Sequence, residues 1–162
     1  MRPRHVFFYI FVAIIATGWA LLAVRRNAIN AQCPRGLIEE RAAWPKYLVE
    51  TITPLQQEGL IPNQLDGFRL SAWSNDYFAL RFPAEGVSTD RLVKAMALTR
   101  DDDNIGVREF RNRMPSEWNL DDRPTAEYYV SAAWLTGDEA DRYVLRFDLS
   151  DEFVYVYYYY NF

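Results

Sequence analysis

Residues 68–83 read FRLSAWSNDYFALRFP, and the fold class turns on this stretch. Phe68, Leu70 and Ala72 alternate with Arg69, Ser71 and Trp73, and Phe78, Leu80 and Phe82 alternate with Tyr77, Ala79 and Arg81. A period of two sends successive side chains to opposite faces of a strand. Ser74-Asn75-Asp76 supplies turn chemistry between the two runs and Pro83 stops the second, so the segment predicts an antiparallel hairpin.

The same period recurs downstream. Tyr128, Val130, Ala132 and Trp134 share one face of a predicted strand. In the next, Tyr143, Leu145, Phe147 and Leu149 share a face with Arg142 and Arg146 opposite, and Thr136-Gly137-Asp138 lies in the connection. Residues 151–162, DEFVYVYYYYNF, hold seven aromatics in twelve positions. Phe153, Tyr155, Tyr157 and Tyr159 point one way and Val154, Val156, Tyr158 and Tyr160 the other, so neither face is polar. Such a strand is either central with both faces covered or an edge that meets a partner.

Helical spacing appears twice. Trp44, Leu48, Ile52 and Leu55 step by four, four and three within residues 37–58. This is the stripe of an amphipathic helix, with Pro45 in its first turn, Gly59 at its stop and Pro54 bending or shortening it. Ser88-Thr89-Asp90 caps a second, short helix that carries Leu92, Ala95 and Met96 on one face and runs to about Leu98. Residues 100–124, RDDDNIGVREFRNRMPSEWNLDDRP, show neither period and are expected as a loop, long enough to be functional or disordered. The order α-β-β-α-loop-β-β-β predicts an α+β domain over residues 37–162, an antiparallel sheet packed on helices.

Ahead of that domain, residues 6–24 read VFFYIFVAIIATGWALLAV, 19 positions without a formal charge. A helix of this length crosses most of a hydrocarbon layer about 30 Å thick. The run exceeds the apolar region of a cleaved signal peptide and closes on Arg25-Arg26 without a small-x-small site after it, so it is read as an uncleaved single-pass anchor over residues 1–24. Cys33 follows Asn30-Ala31-Gln32 rather than the small residues of a lipoprotein signal. Residues 25–36, ending in Pro34 and Gly36, read as a juxtamembrane linker. Arg2 and Arg4 on one side nearly balance Arg25 and Arg26 on the other, and the expected orientation leaves the short N-terminus inside and exports the domain, to the periplasm in a bacterium. Ala13, Ala16, Ala20 and Ala23 form a small-residue stripe suited to close helix packing in the membrane.

Charge and residue usage exclude several functions. Four of the 18 basic residues precede Cys33 and all 22 acidic ones follow it, leaving the rest of the chain at a formal −8. Nucleic acid is therefore not an expected partner. His5 is the single histidine and Cys33 the single cysteine, so residues 34–162 offer no imidazole or thiol to a catalytic triad, a zinc site or a haem. Asp101-Asp102-Asp103-Asn104-Ile105-Gly106 resembles the start of a calcium loop, but Ile105 stands at its fifth position and Asn112 at its twelfth, where oxygen ligands are needed. Lys46 and Lys94 lack a Ser-x-x-Lys context and no phosphate-binding glycine loop occurs. Asp121-Asp122 and Asp138-Glu139 sit in apparent loops, where solvated charge is the default.

No catalytic residue, cofactor or metal is expected. The sequence points to a membrane-anchored, non-catalytic protein, either an accessory or structural subunit of a larger membrane complex or an inhibitor or immunity-type protein that binds an enzyme through its acidic domain. The bilayer and a protein are its expected partners. The expected contact surface combines Arg108, Phe110, Arg111, Arg113 and Trp118 with Tyr157, Tyr158, Tyr159 and Tyr160, the arginine-plus-aromatic composition that interface centres favour.

Overall fold

The computed structural model describes residues 3–32, 35–71, 75–121, 123–137, 142–148 and 150–161. Arg2, Cys33, Pro34, residues 72–74, Asp122, Asp138, Glu139 and Leu149 lie outside the described residues. The chain divides into two units, Met1–Pro34 and Arg35–Phe162. Among the described residues they hold five α-helices and one seven-stranded antiparallel sheet, an α+β arrangement with a single apolar helix at the N-terminal side.

The first unit is one helix, α1 (Pro3–Gln32). Within it Phe7–Ala28 is long and apolar enough to cross a membrane, with a mean hydropathy of 2.3. Its side chains over residues 7–28, including Ala13, Ala16, Ala20 and Ala23, are exposed. Residues 25–32, read as linker, instead continue the helix. Asn27, Ala28 and Ile29 carry no breaker, so nothing interrupts the hydrogen-bond ladder after the two arginines.

The second unit opens with β1 (Gly36–Ile38) and a 3-10 turn (Arg41–Ala43), then α2 (Lys46–Gln57). The helix expected within residues 37–58, with Pro45 in its first turn, is α2, and of the residues ahead of it Gly36–Ile38 pair antiparallel with Arg69, Phe68 and Gly67. Pro45 stands at the N-cap, and Pro54 is held inside a helix that still reaches Gln57. Leu48, Ile52 and Leu55 are buried as the spacing requires, and Gly59 turns the chain away at φ +65°.

The hairpin is β2 (Asp66–Ser71) and β3 (Asn75–Pro83), joined in antiparallel register with a bulge between Arg69 and Ser71. Asn75 and Asp76, expected in the turn, belong to β3, where they pair with Asn161 and Tyr160. The helix expected to reach Leu98 ends earlier: α3 (Thr89–Ala95) gives way to β4 (Leu98–Arg100), an edge strand beside Tyr129, Val130 and Ser131.

Residues 100–124 contain α4 (Ile105–Arg113) and a 3-10 turn (Ser116–Trp118), not a continuous loop. Asp101, itself buried, explains the helix start: its Oδ1 and Oδ2 accept from the backbone N–H groups of Ile105 at 3.0 Å and Val107 at 2.9 Å, satisfying two donors of the first turn. Gly106 lets α4 approach the sheet, since a Cβ there would collide with Val130 and lie 2.9 Å from Val144. The strand expected through Trp134 stops early. It is β5 (Glu127–Ser131), after which Ala132–Thr136 turn into the short helix α5. Ser131 Oγ accepts from the Tyr143 backbone N–H at 3.0 Å, and this side-chain bond takes the place of a further rung.

The sheet is completed by β6 (Arg142–Phe147) and β7 (Phe153–Asn161). Its order is β1-β2-β3-β7-β6-β5-β4, which places the tyrosine-rich strand in the middle. The aromatic strand is central, and its lack of a polar face follows from having a layer of helix on each side. Leu80, Leu145, Val156 and Tyr158 face α2 and α3 in one core. Ala79, Val144, Tyr155 and Tyr157 face α4, the second 3-10 turn and the Trp134 side of α5 in the other.

Candidate functional site

The residues expected at a contact surface separate into two groups. Phe110 is 2% exposed and meets Tyr128 edge-on with ring centres 5.5 Å apart. Trp118 is buried between Phe68 at 6.1 Å and Tyr155 at 5.9 Å, with the Arg81 guanidinium 5.1 Å from its ring centre. Both aromatics thus belong to the core, Phe110 because α4 turns its apolar stripe of Val107, Phe110 and Met114 inward and Trp118 from the second 3-10 turn. Tyr157 and Tyr158 are likewise fully buried by the central position of β7. Tyr159 and Tyr160 are half-buried, Tyr160 stacking on Tyr47 at 4.0 Å and Tyr159 lying 5.0 Å from Tyr77. The arginines remain outside: Arg108 and Arg111 are exposed, and Arg113 pairs with Glu109 at 3.4 Å while lying over the Tyr77 ring at 4.7 Å.

The chemistry that the sequence did not single out lies at the end of β6. Arg146, expected on the strand face opposite Leu145 and Phe147, is 1% exposed, and so is Asp148. Arg146 Nη1 donates to Asp151 Oδ2 at 2.7 Å, Nη2 donates to the Asp121 carbonyl at 3.3 Å, and Asp148 Oδ2 lies 3.8 Å from Nη2. Asp148 Oδ1 accepts from the Ser150 backbone N–H at 2.9 Å, the Ser150 hydroxyl at 2.7 Å and the Thr125 hydroxyl at 3.2 Å. Arg123 ties the same corner to the Ser150 carbonyl at 3.0 Å. Several charges are buried, and each has partners, as burial of charge requires.

The electrostatics hold these groups in fixed states. Burial works against the Arg146 charge, but the hydrogen bond and field of Asp151, with Tyr128 alongside, outweigh it and raise the guanidinium above its ordinary pKa. Burial would raise the Asp148 carboxyl, yet the Ser150 and Thr125 hydrogen bonds and the Arg146 charge bring it below the usual carboxylate range. Burial, reinforced by Asp151, pushes the Tyr155 phenol up to about 12. Groups set this far from neutrality bind and orient more readily than they exchange protons near pH 7.

Two open cavities flank the network. One, of about 510 Å³, is bounded by the C-terminal end of α4, the second 3-10 turn and the Arg146 side chain. The other, of about 490 Å³, lies by Pro83, Phe147 and the carboxylates of Glu85, Asp148, Asp151 and Glu152. No cluster of three or more metal-ligating side chains occurs among the described residues. In the sequence the network shows only as an arginine sharing its strand face with Val144 and followed at short spacing by Asp148 and Asp151, a pattern that reads as a solvated face.

No protein family, no characterised protein and no solved structure matches the chain.

Proposed function

We infer that this is a single-pass membrane-anchored, non-catalytic protein, an accessory or structural subunit whose folded unit meets another protein of a membrane complex. The carrying observation is α1, whose Phe7–Ala28 stretch exposes Phe7, Phe11, Ile14, Trp19 and Leu21 to an extent that a water-soluble helix does not sustain. The arginines of α4, Arg108, Arg111 and Arg113, supply the polar contact surface that remains once Phe110 and Trp118 are assigned to the core. Absence of histidine and cysteine beyond residue 33 and the fixed charge states around Arg146 support a binding role over a catalytic one.

Carbonate extraction of membranes, followed by mild solubilisation and native purification, tests the reading. The expected result is full-length protein, by intact mass, that resists carbonate and copurifies with a membrane complex in fixed ratio. Release by carbonate, or a product truncated near Cys33, would overturn the anchor. A monomer that stays alone until an enzyme target is added would replace the subunit reading with that of an anchored inhibitor, for which the acidic balance beyond Cys33 provides electrostatic steering. Protease applied to sealed spheroplasts should digest the folded unit, as export requires.

A further inference from the structure

Beyond Cys33 the chain holds no cysteine, so no disulfide can staple the second unit, whereas every tyrosine but Tyr9 lies in it. Tyr47 stands in the first turn of α2 and Tyr160 near the end of β7, and their rings stack with centres 4.0 Å apart and planes within 1° of parallel. This is closer than the range of about 4.5–7 Å in which aromatic pairs ordinarily settle. Both rings are half-buried, so each keeps some surface open to solvent. The other tyrosine pairs differ in access or in surroundings. Tyr158, 5.3 Å from Tyr47 and 4.6 Å from Tyr143, is fully buried, as is Tyr157, 6.3 Å from Tyr77. Tyr77 and Tyr159 lie 5.0 Å apart at an angle of 38°, and each has a guanidinium over its face, Arg113 at 4.7 Å and Arg142 at 5.6 Å. A cation held by the ring quadrupole opposes removal of an electron from that ring.

We propose that Tyr47 and Tyr160 form an oxidative cross-linking site, at which a one-electron oxidant driven by hydrogen peroxide joins α2 to the end of β7 as a dityrosine clasp. The oxidant takes an electron and the hydroxyl proton from each phenol and leaves spin on the ring carbons beside the oxygen, Cε1 and Cε2. Two such radicals held in contact couple within one molecule, with the gain in rate that proximity confers. The new bond joins a Cε of Tyr47 to a Cε of Tyr160, and the hydrogen on each joined carbon moves to the phenolic oxygen as the ring regains aromaticity. The sum is two electrons and two protons lost, which hydrogen peroxide accepts in becoming two molecules of water. Most of the second unit lies between the two positions, so the link closes a long loop and restrains the unfolded chain, as a disulfide of that span does. The site depends on the second unit alone and is independent of the anchoring.

The test is treatment of the full-length protein in lipid nanodiscs with a haem peroxidase and hydrogen peroxide, followed by isolation of the single-chain species on a denaturing gel. Dityrosine fluorescence and an intact mass lower by two hydrogens are expected, with proteolytic mapping placing the bond between the peptides that carry Tyr47 and Tyr160. The linked chain should melt higher by about 10 °C or more, since the closed loop is long. Tyr47→Phe and Tyr160→Phe keep a ring in the stack but lack the phenolic hydroxyl, and each should lose most of the yield. Tyr77→Phe should keep it. The proposal is overturned if the single chain yields no dityrosine, if mapping places the bond between other tyrosines, if Tyr160→Phe retains the parent yield, or if the linked chain melts where the unlinked one does.

Discussion

Arg146 and Asp151 meet at 2.7 Å inside the second unit, the guanidinium Nη1 donating to a carboxylate that also accepts from the Phe153 backbone N–H at 3.3 Å. Five residues apart in sequence, they close the turn from β6 into β7 and fix where the central strand begins. Replacing Arg146 by Met leaves a buried Asp148 and a partly buried Asp151 without their cation, and a loss of about 3–5 kcal/mol is expected. Urea unfolding measures it, and the double variant Arg146→Met, Asp151→Asn should recover part of the loss. A double variant as unstable as the sum of its singles would show that the pair is not coupled.

Phe110 and Trp118 should behave as core residues. Each change to Ala is expected to cost about 3–5 kcal/mol, the range for deleting a buried large aromatic. Arg108→Ala, on the exposed side of the helix that carries Phe110, should stay within about 0.5 kcal/mol. Thermal or denaturant unfolding of the Phe110 and Arg108 variants compares the two sides of α4 directly, and Trp118→Ala reports on the second 3-10 turn.

Asp101 is expected to be worth more than its acidic neighbours. Asp101→Ala removes the acceptor of two backbone N–H groups and a negative charge from the start of α4, a cost of about 1–2 kcal/mol. Asp102→Ala and Asp103→Ala, both exposed, should be nearly silent. Equal effects at all three positions in a Tm series would contradict the capping role.

The pH dependence has a defined sign on each limb. Asp148 has its folded pKa lowered from 3.8, so its contribution is present above that value and disappears as pH falls through the lower folded one. Tyr155 and Tyr157 have folded pKa values raised above 10.0, Tyr155 to about 12, so their contribution is complete below 10 and is lost as pH rises beyond it. On these accounts Tm should be level between about pH 5 and 9 and fall outside that window. Phenolate absorbance followed through an alkaline titration should show two tyrosines ionising only together with unfolding, and Asp148→Asn should flatten the acid limb.

The elements legible in the sequence were those whose apolar pattern spans several periods. The 68–83 hairpin and the Leu48, Ile52, Leu55 face of α2 are of this kind, since both patterns are set by one continuous buried surface. Helix α4 escaped because its stripe is only Val107, Phe110 and Met114, interrupted by four charged residues, and because its start rests on a cap from Asp101 rather than on an apolar residue. Strands β1 and β4 have three residues each, too few for any period, and exist because a neighbour offers its edge. The Arg146 network was hidden for a different reason. An arginine in alternation normally marks a solvent face, and only the placement of Asp148, Asp151 and the Asp121 carbonyl in space converts it into an interior group.

The position of β7 also sets the timing of assembly. It pairs with β3 on one side and β6 on the other, so the β1-β2-β3 block and the β6-β5-β4 block have no direct seam and share β7 as their only bridge in the sheet. On a ribosome, β3 is finished at Pro83 but its open edge waits until Asn161 has been made, a delay of about 4–16 s at 5–20 residues per second. For that interval Phe78, Leu80 and Phe82 are arrayed along an unpaired apolar edge, the form of nascent chain that holdase chaperones capture.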